Sequence, residues 1–245
     1  MYKFRQNVFV LFSAVLFFVA LFVVIPSVHA AIVINNTRVI YEQREKEVTV
    51  QINNQGSSPL LLQSWIDDGD PKASPDNLNV PFVLTPPINR VDAGKSQTVR
   101  IRYSGQPLPN DRESMFWFNA LEIPAKANAS DEDSRNFLQM AFRTRIKLFF
   151  RPTGLKGTPE EAAKALSWVA DGNGITAINK TPWNISLVDM EVMVNGKKTK
   201  VDGDTVSPFG KRTFVVKNGP SGKEIAWRYV NDYGAVNSVQ GPLGR

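Results

Sequence analysis

From residue 31 onward, short apolar runs of period two alternate with clusters of turn residues. Successive side chains of a strand point to opposite faces, so such runs read as strands with one buried face. In the first half the candidates are 32–41, 47–53, 60–66, 81–85, 96–103 and 113–123, closed by a long run at 137–151. Polar stretches at 54–59, 67–79 and 92–95 punctuate them, and no segment of helical period intervenes. Seven strands at this spacing predict an immunoglobulin-like sandwich over residues 31–150.

The closing run, FLQMAFRTRIKLFFR, stands out by length. Leu138, Met140, Phe142, Thr144, Ile146, Leu148 and Phe150 share one face of a strand, and Gln139, Ala141, Arg143, Arg145, Lys147 and Arg151 fall on the other. Composition alone suits a core strand of a large sandwich with a solvated basic face. The length exceeds the usual strand of roughly 5–6 residues, which favours a strand that projects past its sheet or lies along its edge. An apolar row in that position needs a partner.

Arg151-Pro152-Thr153-Gly154 reads as a hinge, since Pro cannot donate to a ladder and Gly loosens the chain. Residues 158–166 predict a short helix capped by Thr158 with Pro159 at its first position. The β pattern resumes at 167–170, 174–179, 184–194, 205–206, 212–216, 224–229 and 235–239, with Asn195-Gly196 as a hairpin turn. A second, smaller all-β domain is expected over 151–245.

Residues 1–30 differ in kind. Lys3 and Arg5 precede an apolar run at 8–25 broken only by Ser13, and Pro26 and Val28-His29-Ala30 follow. This predicts a secretory signal peptide cleaved after Ala30. An uncleaved anchor is the alternative, because the run borders on the roughly 18 residues that span a bilayer. Without Lys3 and Arg5 the remainder carries 27 basic and 23 acidic residues, a net charge of +4. That mild excess points to no nucleic-acid partner. The single histidine, His29, leaves with the signal, and there is no cysteine. An exported chain without disulfides depends on core packing alone.

These absences exclude Ser–His–Asp hydrolysis, thiol catalysis and zinc held by His or Cys. No glycine-rich phosphate loop is present. Asp67, Asp68 and Asp70 outline a calcium-like loop that lacks the later bidentate Glu, and they read as a solvated turn. Glu113 and Glu122, a formal glycosidase pair, have opposite parity on one strand and face opposite sides of it. No catalytic residue, metal or cofactor is expected, and a binding protein is favoured over an enzyme.

Two cations remain notable by position. Arg38 lies inside the first candidate strand and Lys147 in the middle of the last. Terminal strands of an immunoglobulin-like sandwich commonly run side by side, so both could face one cleft; otherwise each is an ordinary exposed charge. The motif from Leu108 to Pro124, LPNDRESMFWFNALEIP, is the most specific stretch of the chain. With Asn36-Thr37-Arg38-Val39-Ile40-Tyr41, Thr85-Pro86-Pro87-Ile88-Asn89-Arg90 before Gly94, Arg145-Ile146-Lys147-Leu148-Phe149-Phe150-Arg151-Pro152 and Asn231-Asp232-Tyr233-Gly234, it makes the chain resemble the periplasmic chaperones of the chaperone–usher pilus pathway. The resemblance covers essentially all of 31–245; Ala120 departs from it, standing where the family prefers a larger aliphatic residue.

The resemblance implies two immunoglobulin-like sandwiches in an L-shaped arrangement with an interdomain cleft. It implies that Arg38 and Lys147 anchor the C-terminal carboxylate of a pilus subunit. Leu138, Met140 and Phe142 would complete the subunit's groove as a donated strand, and Glu113, Arg151 and Asp232 would form a charge triad bridging the domains. An outer-membrane usher is the second partner implied, in the periplasm, and the polar stretch 124–136 looks like the short-loop branch of the family. Parity adds its own expectation: Ile146 and Leu148 buried in the first domain, Met140 exposed on the continuation of their face, and Lys147 pointing the other way. An exposed strand of this kind also admits self-association. The alternative class is a secreted two-domain sandwich that binds carbohydrate or a receptor, although Trp65, Trp117, Trp168, Trp183 and Trp227 sit in or beside strands, as core residues do.

Overall fold

A computed structural model describes residues 31–125 and 140–244. The signal segment 1–30, Leu138 and most of the 124–136 loop lie outside these residues. Strands of the first domain are β1 (Ile32–Ile34), β2 (Arg38–Glu42), β3 (Val48–Asn54), β4 (Leu60–Asp67), β5 (Phe82–Thr85), β6 (Ile88–Val91), β7 (Ser96–Tyr103), β8 (Ser114–Pro124) and β9 (Phe142–Arg151). They form two facing sheets, ordered β1-β3-β7-β5 and β2-β9-β8-β4-β6. Alternation decides which side chains meet between them: Val50 and Ile52 of β3, Val99 and Ile101 of β7, Leu62 and Ile66 of β4, Phe118 of β8 and Leu148 of β9 are all buried. At the end nearest the second domain, Tyr41, Phe82, Tyr103 and Phe150 pack ring to ring, with centroids 4.5–6.5 Å apart.

Three details depart from the sequence reading. The run 32–41 is two strands, because the chain leaves one sheet at Ile34 and enters the other at Arg38. The polar triplet Asn35-Asn36-Thr37 carries that crossing on the exposed surface, where its backbone is solvated. Residues 88–91 form a strand that pairs with β4 at the sheet edge, where half its side chains face water and the apolar signal is weak. Among the described residues the long strand begins at Phe142, with Met140 and Ala141 outside it, and positions 137–139 of the expected run lie outside the described residues.

The second domain opens with α1 (Pro159–Lys164), whose first turn is a capping box. Thr158 Oγ1 accepts from Glu161 N at 3.2 Å and Glu161 Oε2 accepts from Thr158 N at 3.0 Å. Its strands are β10 (Ser167–Asp171), β11 (Gly174–Ile178), β12 (Ile185–Val194), β13 (Lys197–Asp202), β14 (Thr205–Val206), β15 (Lys211–Val215), β16 (Glu224–Val230) and β17 (Val236–Gly244). β13 escaped the sequence reading because Lys and Thr on an exposed edge give no apolar alternation. The strands follow the order β13-β12-β16-β17-β10-β11-β15, with β14 beside β12. They fold around a core of their own that includes Trp168, Ile175, Met190, Val206 and Trp227. Buried Ala162 and Ala163 dock α1 on this core, and Ala163 O accepts from Trp227 Nε1 at 3.0 Å.

Candidate functional site: a cationic cleft beside an open strand edge

β2 and β9 run parallel, with Arg38 opposite Lys147 and Glu42 opposite Arg151. β8 accompanies β9 antiparallel all the way to Phe142, whereas β2 joins it only from Lys147 onward. Among the described residues, the segment 142–146 therefore has a strand on one side and an open row of backbone groups on the other. The even-numbered face of that segment continues the core outward. Leu148 is fully buried, Phe142 is 47 % exposed and Met140 is 54 % exposed. Ile146 is only half-buried, short of the burial expected, because it lies one residue beyond the last β2 partner.

As register partners, Arg38 and Lys147 share a face, the one turned toward the second domain. Arg38 Nη1 donates to Val230 O at 3.0 Å. Lys147 Nζ donates to Thr205 Oγ1 at 2.6 Å and to Ser186 Oγ at 3.2 Å. Aromatic rings floor both cations, Phe149 at 5.8 Å from the Arg38 guanidinium and Trp117 at 5.7 Å from Lys147 Nζ. Arg38 Nε is buried without a hydrogen-bond partner among the described residues. Burial pulls the Lys147 ammonium down to about 8, and the neighbouring Arg38 charge acts in the same direction, against Asp204. Burial also lowers Arg38, opposed by Asp232 and Glu113. Two like charges held this way gain from an anion that supplies charge-assisted hydrogen bonds to both.

Behind the cations, Arg151 joins the two domains. Its Nη2 lies 2.9 Å from Glu113 Oε1, and its Nη1 lies 2.9 Å from Asp232 Oδ2 and 3.4 Å from Glu42 Oε1. The guanidinium also stacks on Trp183 at 4.8 Å. Glu113 Oε2 accepts from Asn184 N at 2.9 Å, and Glu113 N donates to Pro182 O at 2.9 Å, so one residue before β8 binds the second domain with main chain and side chain. Burial raises the Glu113 carboxyl above its ordinary range, against the pull of Arg151 and Asn184. For Arg151, burial works downward and is outweighed by the hydrogen bonds and charges of Asp232 and Glu113, so its proton is held more tightly than usual. The turn carrying Asp232 is fixed by Gly234 at φ +83°, where an added Cβ would stand 2.6 Å from Thr37 Oγ1.

The site residues named from the sequence thus fall into three neighbouring groups: Arg38 with Lys147, Glu113 with Arg151 and Asp232, and Met140 with Phe142. The solvated-turn reading of Asp67 is corrected. This carboxylate is fully buried and paired with Arg143 and Arg145. A signal did exist, since Asp67 ends a strand whose odd positions share a sheet face with the odd-numbered arginines of β9. Register across β8, which brings them together, is not readable from sequence. Of the tryptophans, Trp65, Trp168, Trp183 and Trp227 are buried, while Trp117 is half-buried beneath Arg145 and Lys147.

Two β-sandwiches joined through a buried ion cluster, with two cations at their junction and an open strand edge beside them, define a two-domain β-sandwich protein able to pair an added strand and hold an anionic group next to it. Residues 31–156 match the family described as pili and flagellar-assembly chaperone, PapD N-terminal domain, and residues 161–241 match the pili assembly chaperone PapD, C-terminal domain. The chain belongs to this family of pilus-assembly chaperones. It is 43 % identical over 216 residues to the probable fimbrial chaperone YadV of Escherichia coli K12, covering 84 % of this chain and 87 % of YadV. It is 41 % identical over 223 residues to the chaperone protein FimB/FhaD of Bordetella pertussis, covering 89 % and 90 %. The crystal structure of the YadV chaperone superposes with a TM-score of 0.75 at 40 % identity, over 87 % of this chain and all of that one. The SafB chaperone, solved with the SafA pilin of Salmonella enterica, gives 0.74 at 29 % identity, over 89 % and 98 %.

Proposed function

We propose that this chain is a non-enzymatic periplasmic chaperone that caps pilus subunits by donor-strand complementation and delivers them to an outer-membrane usher. Residues 1–30 act as the export signal, 31–150 as the strand-donating domain and 151–245 as the domain that closes the cleft. The observation that carries this reading is the continuity of β9, which runs from an open edge at exposed Phe142, just after exposed Met140, to the cationic pair at Lys147. A subunit lacking its last strand pairs with the edge through its main chain, while Leu138, Met140 and Phe142 fill its groove. The subunit's C-terminal carboxylate, held by the fork of Arg38 and the point charge of Lys147, sets the register of that pairing. Glu113, Arg151 and Asp232 hold the domains at the angle that keeps the cleft at carboxylate width.

Co-purification of a co-expressed pilus subunit with the wild-type chain, Arg38→Ala and Lys147→Ala tests this. Retention by wild type and loss by both folded variants is expected. Equal retention by all three overturns the carboxylate anchor, and retention by none overturns the chaperone reading.

A further inference from the structure

Two arginines of β9 that subunit binding leaves unused converge on one carboxylate two strands away. Arg143 Nη2 and Arg145 Nε each lie 3.2 Å from Asp67 Oδ2, and Arg145 Nη2 bonds the other carboxylate oxygen. Asn119 of β8 stands between them: its Nδ2 donates to Asp67 Oδ2 at 2.8 Å, and its Oδ1 accepts from Arg143 Nε at 2.8 Å. Arg143 also donates to Pro71 O at 2.6 Å. The guanidinium groups of Arg143 and Arg145 lie 4.7 Å over Trp65 and 4.3 Å over Trp117. A polar layer therefore crosses β4, β8 and β9 on the outer face of the sheet.

Its position gives it a role. Both arginines belong to the segment 142–146, which β8 pairs on one side only. Strands held by a single neighbour open at low free energy. The buried carboxylate supplies from the outer face the restraint that β2 supplies further along. Because side chains alternate, fixing Arg143 and Arg145 outward turns Phe142 and Thr144 to the opposite face. We propose that Asp67 is a positioning residue for subunit capture: through Arg143 and Arg145 it holds the open-edge segment in register on β8, so that an incoming strand meets a preformed edge. This rests on the chaperone reading. Asp67 reaches no subunit; it lowers the ordering entropy that binding must overcome.

The test combines residue-resolved amide hydrogen exchange with subunit capture, using the full chain and the variants Arg143→Gln, Asp67→Asn and Arg38→Ala. Arg143→Gln keeps Asp67 paired with Arg145 and is expected to fold. Its amides at 142–146 exchange about tenfold faster while those at 147–151 hold their protection. Its association with a co-expressed pilus subunit slows about fivefold with Arg38 and Lys147 intact. Asp67→Asn releases both arms and shows the larger change; if it fails to fold, Arg143→Gln decides alone. Unchanged exchange at 142–146 overturns the proposal because the cluster then restrains nothing there, and acceleration shared equally by 147–151 overturns it in favour of a general structural tie. Normal capture by Arg143→Gln beside lost capture by Arg38→Ala sinks the positioning role and leaves the chaperone reading standing. Normal capture by Arg38→Ala sinks the anchor instead, whatever the exchange shows.

Discussion

Arg38 and Lys147 are register partners on adjacent parallel strands, which places two cations at one level of the domain junction. Each is lowered by burial, and Arg38 lowers Lys147 further. Such an arrangement opposes folding and favours ligand binding. Lys147→Met removes a desolvated charge while keeping a linear side chain. It is expected to raise stability by roughly 1 kcal/mol, as neutral replacements of buried charges commonly do, while abolishing subunit retention. Urea denaturation beside co-purification measures both, and a variant that is less stable yet still retains subunits contradicts the assignment.

The same lysine gives opposite pH trends for stability and for binding. Its folded value of about 8 lies below the ordinary 10.5, so between those pH values the unfolded chain binds more protons. Stability attributable to this group therefore rises as pH climbs from about 8 toward 10.5. A bound carboxylate favours the charged ammonium, so subunit affinity falls up to about tenfold per pH unit above 8. Below pH 8 neither trend is expected from this residue. Binding isotherms of wild type at pH 7, 8 and 9 check the affinity trend, and urea midpoints of wild type and Lys147→Met between pH 8 and 10 check the stability trend, because only wild type should gain stability there.

Glu113 and Arg151 do not contribute equally to the junction. Glu113→Gln leaves Arg151 paired with Asp232 and Glu42 and retains an acceptor for Asn184, so a loss of about 1 kcal/mol is expected. Arg151→Ala strands a buried carboxylate that burial already raises, and it removes the stacking on Trp183. Its loss is expected near 3 kcal/mol or more. Denaturant midpoints rank the two variants, and a reversed order would show that the cation is not what the buried carboxylate depends on.

Much of this organisation is visible in sequence because β9 writes its two faces in alternate letters. Leu148 and Phe150 went to the core and Lys147 to the cleft, as parity requires. The helix start at Thr158 was equally legible, since capping is chemistry between residues three apart. What stayed hidden depends on registers between strands distant in the chain. The break at Asn35-Asn36-Thr37 marks a change of sheet only once β2 is seen beside β9. Asp67 reads as a loop acid until the register through Trp117 and Asn119 of β8 sets it among the arginines of β9. Ile146 fell short of full burial because its row lies beyond the end of β2, a boundary no periodicity records.

The segment from Met140 through β9 also contains a division between binding and folding that separates by mutation. Met140 and Phe142 are exposed, so Met140→Ser and Phe142→Ser leave the core untouched and are expected to change stability by less than about 0.5 kcal/mol. Leu148, two turns of the pleat beyond Thr144 on the same face, is fully enclosed by the first domain. Leu148→Ala is expected to remove about 3 kcal/mol through lost burial and a residual cavity. If the exposed face is the donated one, the double variant at 140 and 142 loses subunit retention at unchanged denaturation midpoint, whereas Leu148→Ala lowers the midpoint and retains subunits in proportion to the folded fraction. Retention that survives serine at both exposed positions would place the recognition surface away from β9, because no other described residues continue that apolar row past the end of β2.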